Sequence, residues 1–374
     1  MNKSDLSRNA YLLCGSLSKR GYMRWFHSFS GLQPATGERR VFFIEYLIMN
    51  PSLGQNKPVL GQLPYNRRHS IKPSYLMMKV GAFSGDAGSP AVELNAYYPL
   101  TELKVAFRPL IMQFGGNFYS EQRIYGCVEV PHDNARRKSH MTNEGYMVWD
   151  LEVYKSIACH TGGLANPFLS ALSALDTFWH AEGIKAQYRG SVTLNGIPYE
   201  ITSDDSYGYA DKHWGSCFNR PWLQLSSCDL ISERTGRKLK NSALAVDGFC
   251  PRFLFIPLKR KLLFQLTYEK EDYEFNFSPF RRECKWKLTE SNKRFIWQII
   301  AQNKDAVVKL SLCSLRQEML ALHYESPDGV LPDKLLGNGS GIGKILLYRR
   351  TGSELELIDT ISIAHLLHIK SGDA

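Results

Sequence analysis

Two antiparallel β-barrels in tandem, an all-β fold, are predicted by three observations. Many short apolar runs recur at meander-like intervals, turn residues separate them, and a single helical stretch stands near the middle of the chain. Aromatic residues make up 12% of the chain and glycines number 29, which favours pleated, half-buried surfaces and turns over helices. At 374 residues the chain is long enough for two domains with separate cores. A hydrophobic content of 44% and a charged content of 22% are globular values that exclude a disordered chain.

The elements follow in order. Residues 21–29 and 41–49 flank the turn Ala35-Thr36-Gly37-Glu38 and form a hairpin. Residues 75–82, 91–97, 123–130 and 146–154 add short strands between Gly, Pro, Asn and Ser clusters. Asn166 suits a helix N-cap and Pro167 the first helical position. Phe168, Leu172 and Leu175 then recur on one face, so a helix is expected over 166–178. It links an N-terminal barrel (1–165) to a C-terminal barrel (184–374), with 166–183 as the linking segment. The second barrel opens on 184–194 and 197–203, joined by Asn195-Gly196, a strong hairpin signal. Further strands are expected at 222–227, 242–246, 261–268, 272–277, 284–288, 295–300, 307–313, 319–324, 344–348 and 355–363.

Charge and cysteines narrow the function classes. The net charge of +10 is spread over Arg234/Arg237/Lys238/Lys240, Lys259-Arg260-Lys261, Arg281/Arg282/Lys285/Lys287 and Arg349-Arg350. A nucleic-acid footprint would gather on one face, so no nucleic-acid partner is expected. Solvated strand faces are the plain reading of these clusters, and peripheral contact with an anionic membrane the sharper one. The eight cysteines form no C-x-x-C pair and read as reduced thiols of a cytoplasmic protein. The first residues show no signal-peptide apolar region, and no apolar run reaches the length of a membrane span.

Several chemistries fail on inspection. The ten histidines show neither H-x-H nor H-E-x-x-H spacing, so no metal is expected, nor any other cofactor. The run Gly337-Asn338-Gly339-Ser340-Gly341-Ile342-Gly343-Lys344 lacks the Gly at 338 and the Ser or Thr at 345 that a phosphate loop needs, and reads as a turn. Cys159 and His160 are adjacent, so on a strand they point to opposite faces and cannot pair.

The densest chemistry lies at Tyr207-Gly208-Tyr209-Ala210-Asp211-Lys212-His213-Trp214-Gly215, followed by Phe218 and Trp222-Leu223-Gln224. On a strand, Tyr207, Tyr209, Asp211 and His213 share one face, and Lys212 and Trp214 the other. An acid among aromatics suits a greasy or electron-rich ligand; it also suits a locally satisfied strand end. Around residue 24, Tyr22, Arg24 and Phe26 share a face opposite Met23, Trp25 and His27. Glu45, flanked by Phe43 and Leu47 on its own face, is either solvated or buried with a partner.

Asn195-Gly196-x-x-Tyr199, Gly208 to Gly215, Phe218 and Trp222-x-Gln224 together resemble the G-Y-x-E-K-x-W-G…F-P…W-x-W-x-Q signature of the tocopherol cyclase-like family. Gly21-Tyr22 with Trp25-Phe26, Val148-Trp149-Asp150-Leu151 and Pro167-Phe168 fall where that family has its G-W-Y-F-K, W-D-L and P-F elements. The resemblance spans most of the chain and implies tandem lipocalin-like barrels. For the family's plant members it implies cyclisation of a prenylated quinol. Asp211 stands where Glu is usual, Asn219-Arg220 replace the Pro after Phe218, and Leu223 replaces an aromatic residue. At the front, Met23-Arg24 breaks the family's Tyr-Phe pair and Trp25 takes the place of its Lys.

The resulting expectation is an isomerase or cyclase that closes a ring, with acid assistance, on a prenyl quinol, terpenoid or polyene. Asp211 is the expected acid and His213 the expected base. Tyr209, Lys212, Trp214, Trp222, Gln224, Arg24, Trp25 and Glu45 are expected around the substrate. Two other readings stay open: a non-catalytic lipocalin-like carrier of a hydrophobic molecule, and a structural protein whose barrel is filled by its own side chains.

Overall fold

The structure, a computed structural model, describes residues 9–158, 176–203, 207–218, 223–249, 252–253, 256–257, 261–275, 284–330, 335–365 and 368–371. Strand accounts for 61% of the described residues and helix for 8%, so the fold is all-β. The first nine strands are β1 (Tyr22–Leu32), β2 (Arg39–Met49), β3 (Tyr75–Ala82), β4 (Val92–Tyr98), β5 (Lys104–Phe107), β6 (Leu110–Phe114), β7 (Asn117–Ser120), β8 (Arg123–Val130) and β9 (Gly145–Ile157). β10 (Thr177–Leu194), β11 (Ile197–Ile201) and β12 (Gly208–Gly215) follow.

These twelve strands form one antiparallel sheet, ordered β4-β3-β2-β1-β11-β10-β9-β8-β7-β6-β5, with β12 paired to both β1 and β10. The sheet curls so that β4 packs back against β8 and β9. Its concave side holds a column of rings. Trp25 and Tyr119 centroids lie 5.7 Å apart, Tyr46 and Tyr119 5.4 Å, Phe29 and Tyr188 4.8 Å, Phe42 and Tyr199 4.9 Å. Burying each such side chain contributes roughly 1.5–3 kcal/mol, so this column anchors the first barrel. The same rings occupy the space in which a carrier barrel of this type would hold its ligand.

The second half begins with β13 (Leu223–Ser227), β14 (Asp229–Ser232), β15 (Ala243–Phe249), β16 (Arg252–Phe253), β17 (Ile256–Pro257), β18 (Lys261–Tyr268) and β19 (Glu271–Phe275). It continues with β20 (Cys284–Glu290), β21 (Arg294–Gln302), β22 (Ala306–Leu315), β23 (Leu320–Leu322), β24 (Leu335–Asn338), β25 (Ile342–Thr351), β26 (Glu354–His365) and β27 (His368–Ser371). One sheet runs β19-β18-β15-β13-β27-β24-β23 and a second β14-β26-β25-β22-β21-β20. They share a core that includes Phe264, Leu266, Trp297, Leu310 and Ile345.

Two expectations change. The first sheet does not end at residue 165: β10 pairs with β9 from Lys185 to Leu194, and β12 pairs with β1 along its full length. The division drawn at residue 184 therefore falls inside β10, because the Asn195-Gly196 hairpin closes the first sheet instead of opening the second. The expected helix at 166–178 lies largely outside the described residues, and from Thr177 onward the chain is strand. The bulky run Thr177-Phe178-Trp179-His180 packs on a pleated surface, which suits it. Cys159-His160 also lies outside the described residues. The glycine run near residue 340 is the turn between β24 and β25, as expected, held by Asn338 Nδ2 donating to the Ser314 hydroxyl at 2.8 Å.

Candidate active site between the two barrels

β1 lies between β2 and β12 and sets the site's geometry. Phe26 stands opposite Glu45 on one side and Asp211 on the other, while Arg24 stands opposite Leu47 and His213. Because cross-strand partners share a face, Arg24, Phe26, Glu45, Tyr209, Asp211 and His213 all leave the sheet on its outer side. That side is covered by the second half, so all six are buried. This explains why β2 reads as a nearly unbroken apolar run: both faces of the strand are covered.

Arg24 lies between two acids, its guanidinium 3.6 Å from Glu45 Oε2 and 3.6 Å from Asp211 Oδ1. Burial opposes its charge, but Glu45 and Asp211 outweigh burial and hold it above the usual arginine range. Asp211 Oδ2 accepts from the Tyr209 hydroxyl at 2.8 Å, from Trp179 Nε1 at 3.0 Å and from Gln224 Nε2. The same Gln224 amide nitrogen lies 3.2 Å from His213 Nε2, which is 3.4 Å from Asp211 Oδ2 and 3.9 Å from Asp247 Oδ1. Three donors thus converge on Oδ2, which accepts from each of them. His213 Nε2 lies within reach of both the Gln224 amide and Asp211 Oδ2, and is placed to give or take a proton.

Aromatic rings enclose the cluster. Phe26 and Tyr209 lie 6.4 Å apart, Trp179 lies 6.4 Å from His213, and Phe218 stacks on Tyr22 at 4.0 Å. Burial, then Asp211, pushes the Tyr209 phenol well above its usual range, so it remains a donor. From the second half, the Tyr324 hydroxyl donates to Glu45 Oε2 at 2.9 Å, and Lys79 Nζ lies 4.6 Å above the Tyr324 ring. Lys79 also pairs with Glu93, whose carboxyl is held below its usual range despite burial, chiefly by that lysine. A belt of acids and bases thus runs Glu93, Lys79, Glu45, Arg24, Asp211, His213, Asp247 along the junction.

The expected residues divide between two places. Arg24, Glu45, Tyr209, Asp211, His213 and Gln224 come together at the junction. Lys212, Trp214 and Trp25 do not: they leave the opposite face of the sheet, with Lys212 Nζ 5.1 Å above the Trp25 ring and 4.9 Å above Trp214. Strand alternation sends them into the first barrel, so Lys212 does not hold the Asp211 network. Burial pushes its ammonium down to about 7, against the pull of Glu182 and Glu121. Trp222 lies outside the described residues.

Trp179, Asp247, Tyr324 and Glu182 were missed. Trp179 sat in the segment read as helix, and no local pattern ties Asp247 or Tyr324 to Asp211. The apolar neighbours of Asp247 in β15 are the one signal that marks it as a buried acid. Two cavities, of about 550 and about 570 Å³, are lined by neither Asp211 nor His213. No helix among the described residues is long and apolar enough to cross a membrane.

Two solved structures are similar over nearly the whole chain. Kievitone hydratase from Nectria haematococca superposes with a TM-score of 0.49 at 12% identity, covering 96% of this chain and 93% of its own. A protein described as AttH from Nitrosomonas europaea gives a TM-score of 0.44 at 11% identity, covering 94% of this chain and 93% of its own. At such distances neither likeness carries an argument about activity. No family model matches the chain, and no curated protein matches it.

Proposed function

We propose that this protein is an acid–base catalyst acting on a carbon–carbon double bond of a hydrophobic small molecule, with Asp211 and His213 as its proton-handling pair. The substrate class that suits the site is a prenylated phenol or quinol, closed to a ring as in the tocopherol cyclase-like family that the 195–224 block resembles. The observation that carries this reading is the buried Asp211 carboxylate. It gathers Tyr209, Trp179 and Gln224 on one oxygen, beside an imidazole and inside a shell of rings.

The chemistry balances without a cofactor. A proton on His213 Nε2, held there as an imidazolium beside Asp211, adds to the less substituted alkene carbon and leaves a tertiary cation. The faces of Phe26, Trp179 and Tyr209 stabilise that cation. The phenol oxygen then bonds to the cationic carbon and loses its proton to His213 Nε2, which restores the starting state. Asp211 and Asp247 offset the charge of the imidazolium, and Arg24 keeps the carboxylate of Asp211 fixed in place. If water takes the place of the phenol, the same residues hydrate the double bond.

The carrier reading finds no support in the first barrel, where rings occupy the lumen. Small molecules extracted from freshly purified protein, identified by mass spectrometry and returned to it, test the proposal. Conversion of a co-purifying unsaturated phenol by the natural chain but not by Asp211→Asn supports catalysis. Unchanged recovery from both indicates a carrier.

A further inference from the structure

A cavity of about 550 Å³ opens along β9, β10 and the turns of the second half, away from Asp211. Lys155, Lys185, Lys240 and Lys270 line it, against two carboxylates, Glu182 and Asp272. Lys155 is already engaged, 2.6 Å from Glu121 and 2.7 Å from Glu182, and Asp272 accepts from the Thr267 hydroxyl at 2.6 Å. Lys185, Lys240 and Lys270 make no ion pair among the described residues. Lys185 Nζ donates to the Lys240 carbonyl, which uses one of its three hydrogens. Burial pushes the Lys185 ammonium down, a cost that an adjacent anion would relieve.

Two features mark a built site. β10 breaks register against β12 between His180 and Gly183 and again between Gly183 and Ala186, and against β9 between Lys185 and Ala186. Such bulges re-aim side chains, here Glu182 and Lys185, toward one space. Glu182 is fully buried and lines the cavity, and its Oε2 has no hydrogen-bond partner among the described residues.

We infer that this cavity binds a small organic anion, its phosphate or carboxylate held by Lys185, Lys240 and Lys270 and a hydroxyl donated to Glu182 Oε2. Lysine ammoniums, compact point charges, suit such a head group without demanding a fixed fork geometry. Isothermal titration of the full chain with inorganic pyrophosphate and, separately, with 4-hydroxybenzoate tests it. Saturable binding of at least one probe at one site per chain is expected, and the tighter probe identifies the head group. The double variant Lys240→Gln, Lys270→Gln replaces two exposed side chains and is expected to keep the melting temperature while weakening that binding roughly tenfold or more. Saturable binding by neither probe, or equal binding by the double variant, would overturn the inference.

Discussion

Tyr324 donates its hydroxyl hydrogen to Glu45 Oε2 at 2.9 Å across 279 positions of sequence. This bond ties the second half to β2, and through Glu45 and Arg24 to Asp211. The site is therefore completed only when both halves have folded onto each other.

Arg24 is the cation on which the junction turns. Replacing it with Gln leaves Glu45 and Asp211 buried without the charge that lies between them. Removing one member of a buried ion pair typically costs about 3–5 kcal/mol, and urea unfolding of Arg24→Gln should show a loss of that size. Adding Glu45→Gln should recover part of it. If the single variant unfolds at the same midpoint as the natural chain, Arg24 does not hold the junction.

Gly208 has a steric requirement. A Cβ there would lie 2.5 Å from the Ala186 carbonyl oxygen and 2.5 Å from the Tyr188 ring. Tyr188 is itself held by its hydroxyl, which donates to the Tyr209 carbonyl at 3.0 Å and lies 2.8 Å from His27 Nδ1. Gly208→Ala should therefore destabilise by about 1–3 kcal/mol and shift β12, lowering activity as well. An unchanged melting temperature would mean that β12 does not pack this closely.

The architecture was legible in the sequence because the apolar runs of β1, β2, β3, β8 and β9 keep their strand period over many residues. Strand alternation also assigned the faces correctly, placing Tyr209, Asp211 and His213 together and Lys212 apart. β5 to β7 went unseen because their strands, of 4, 5 and 4 residues, leave little periodicity to read. The start of β10 was read as helix because capping signals upstream outweighed a run whose strand character comes from covering neighbours. Glu45 stayed ambiguous because no sequence pattern announces Tyr324 as its partner. Asp247 went unseen because its role depends on β15 pairing beside Gln224.

Acid strength gives a pH test. Glu182 is pushed up to about 7 by burial, and Glu121 competes with it for Lys155. A carboxyl with a raised folded value binds its proton more tightly when folded. Its stabilising contribution is complete below the ordinary carboxyl value of 4.5 and is lost as pH rises through about 7. Between pH 4.5 and pH 8 the natural chain should lose about 3 kcal/mol more stability than Glu182→Gln. Parallel pH profiles for the two proteins would contradict the assignment.

Thiol reactivity should follow exposure. Cys14 and Cys127 are exposed, whereas Cys228 is buried and its thiol is pushed up to about 11 by burial. Peptide mapping after labelling at pH 8 should find the first two modified in the folded protein and Cys228 only after denaturation. Early modification of Cys228 would mean that β13 and β14 open readily.

Proton delivery to carbon is the central claim, and deuterium reads it directly. In D₂O, a prenylated phenol protonated at its alkene acquires one deuterium on carbon, which mass spectrometry detects in the ring-closed or hydrated product. The natural chain should incorporate it, and Asp211→Asn, of nearly the same shape, should do so at least about 100-fold more slowly. Binding of the same phenol should change little between the two. Incorporation at equal rates by both proteins, or none by either across a set of prenylated phenols that do bind, would contradict the account.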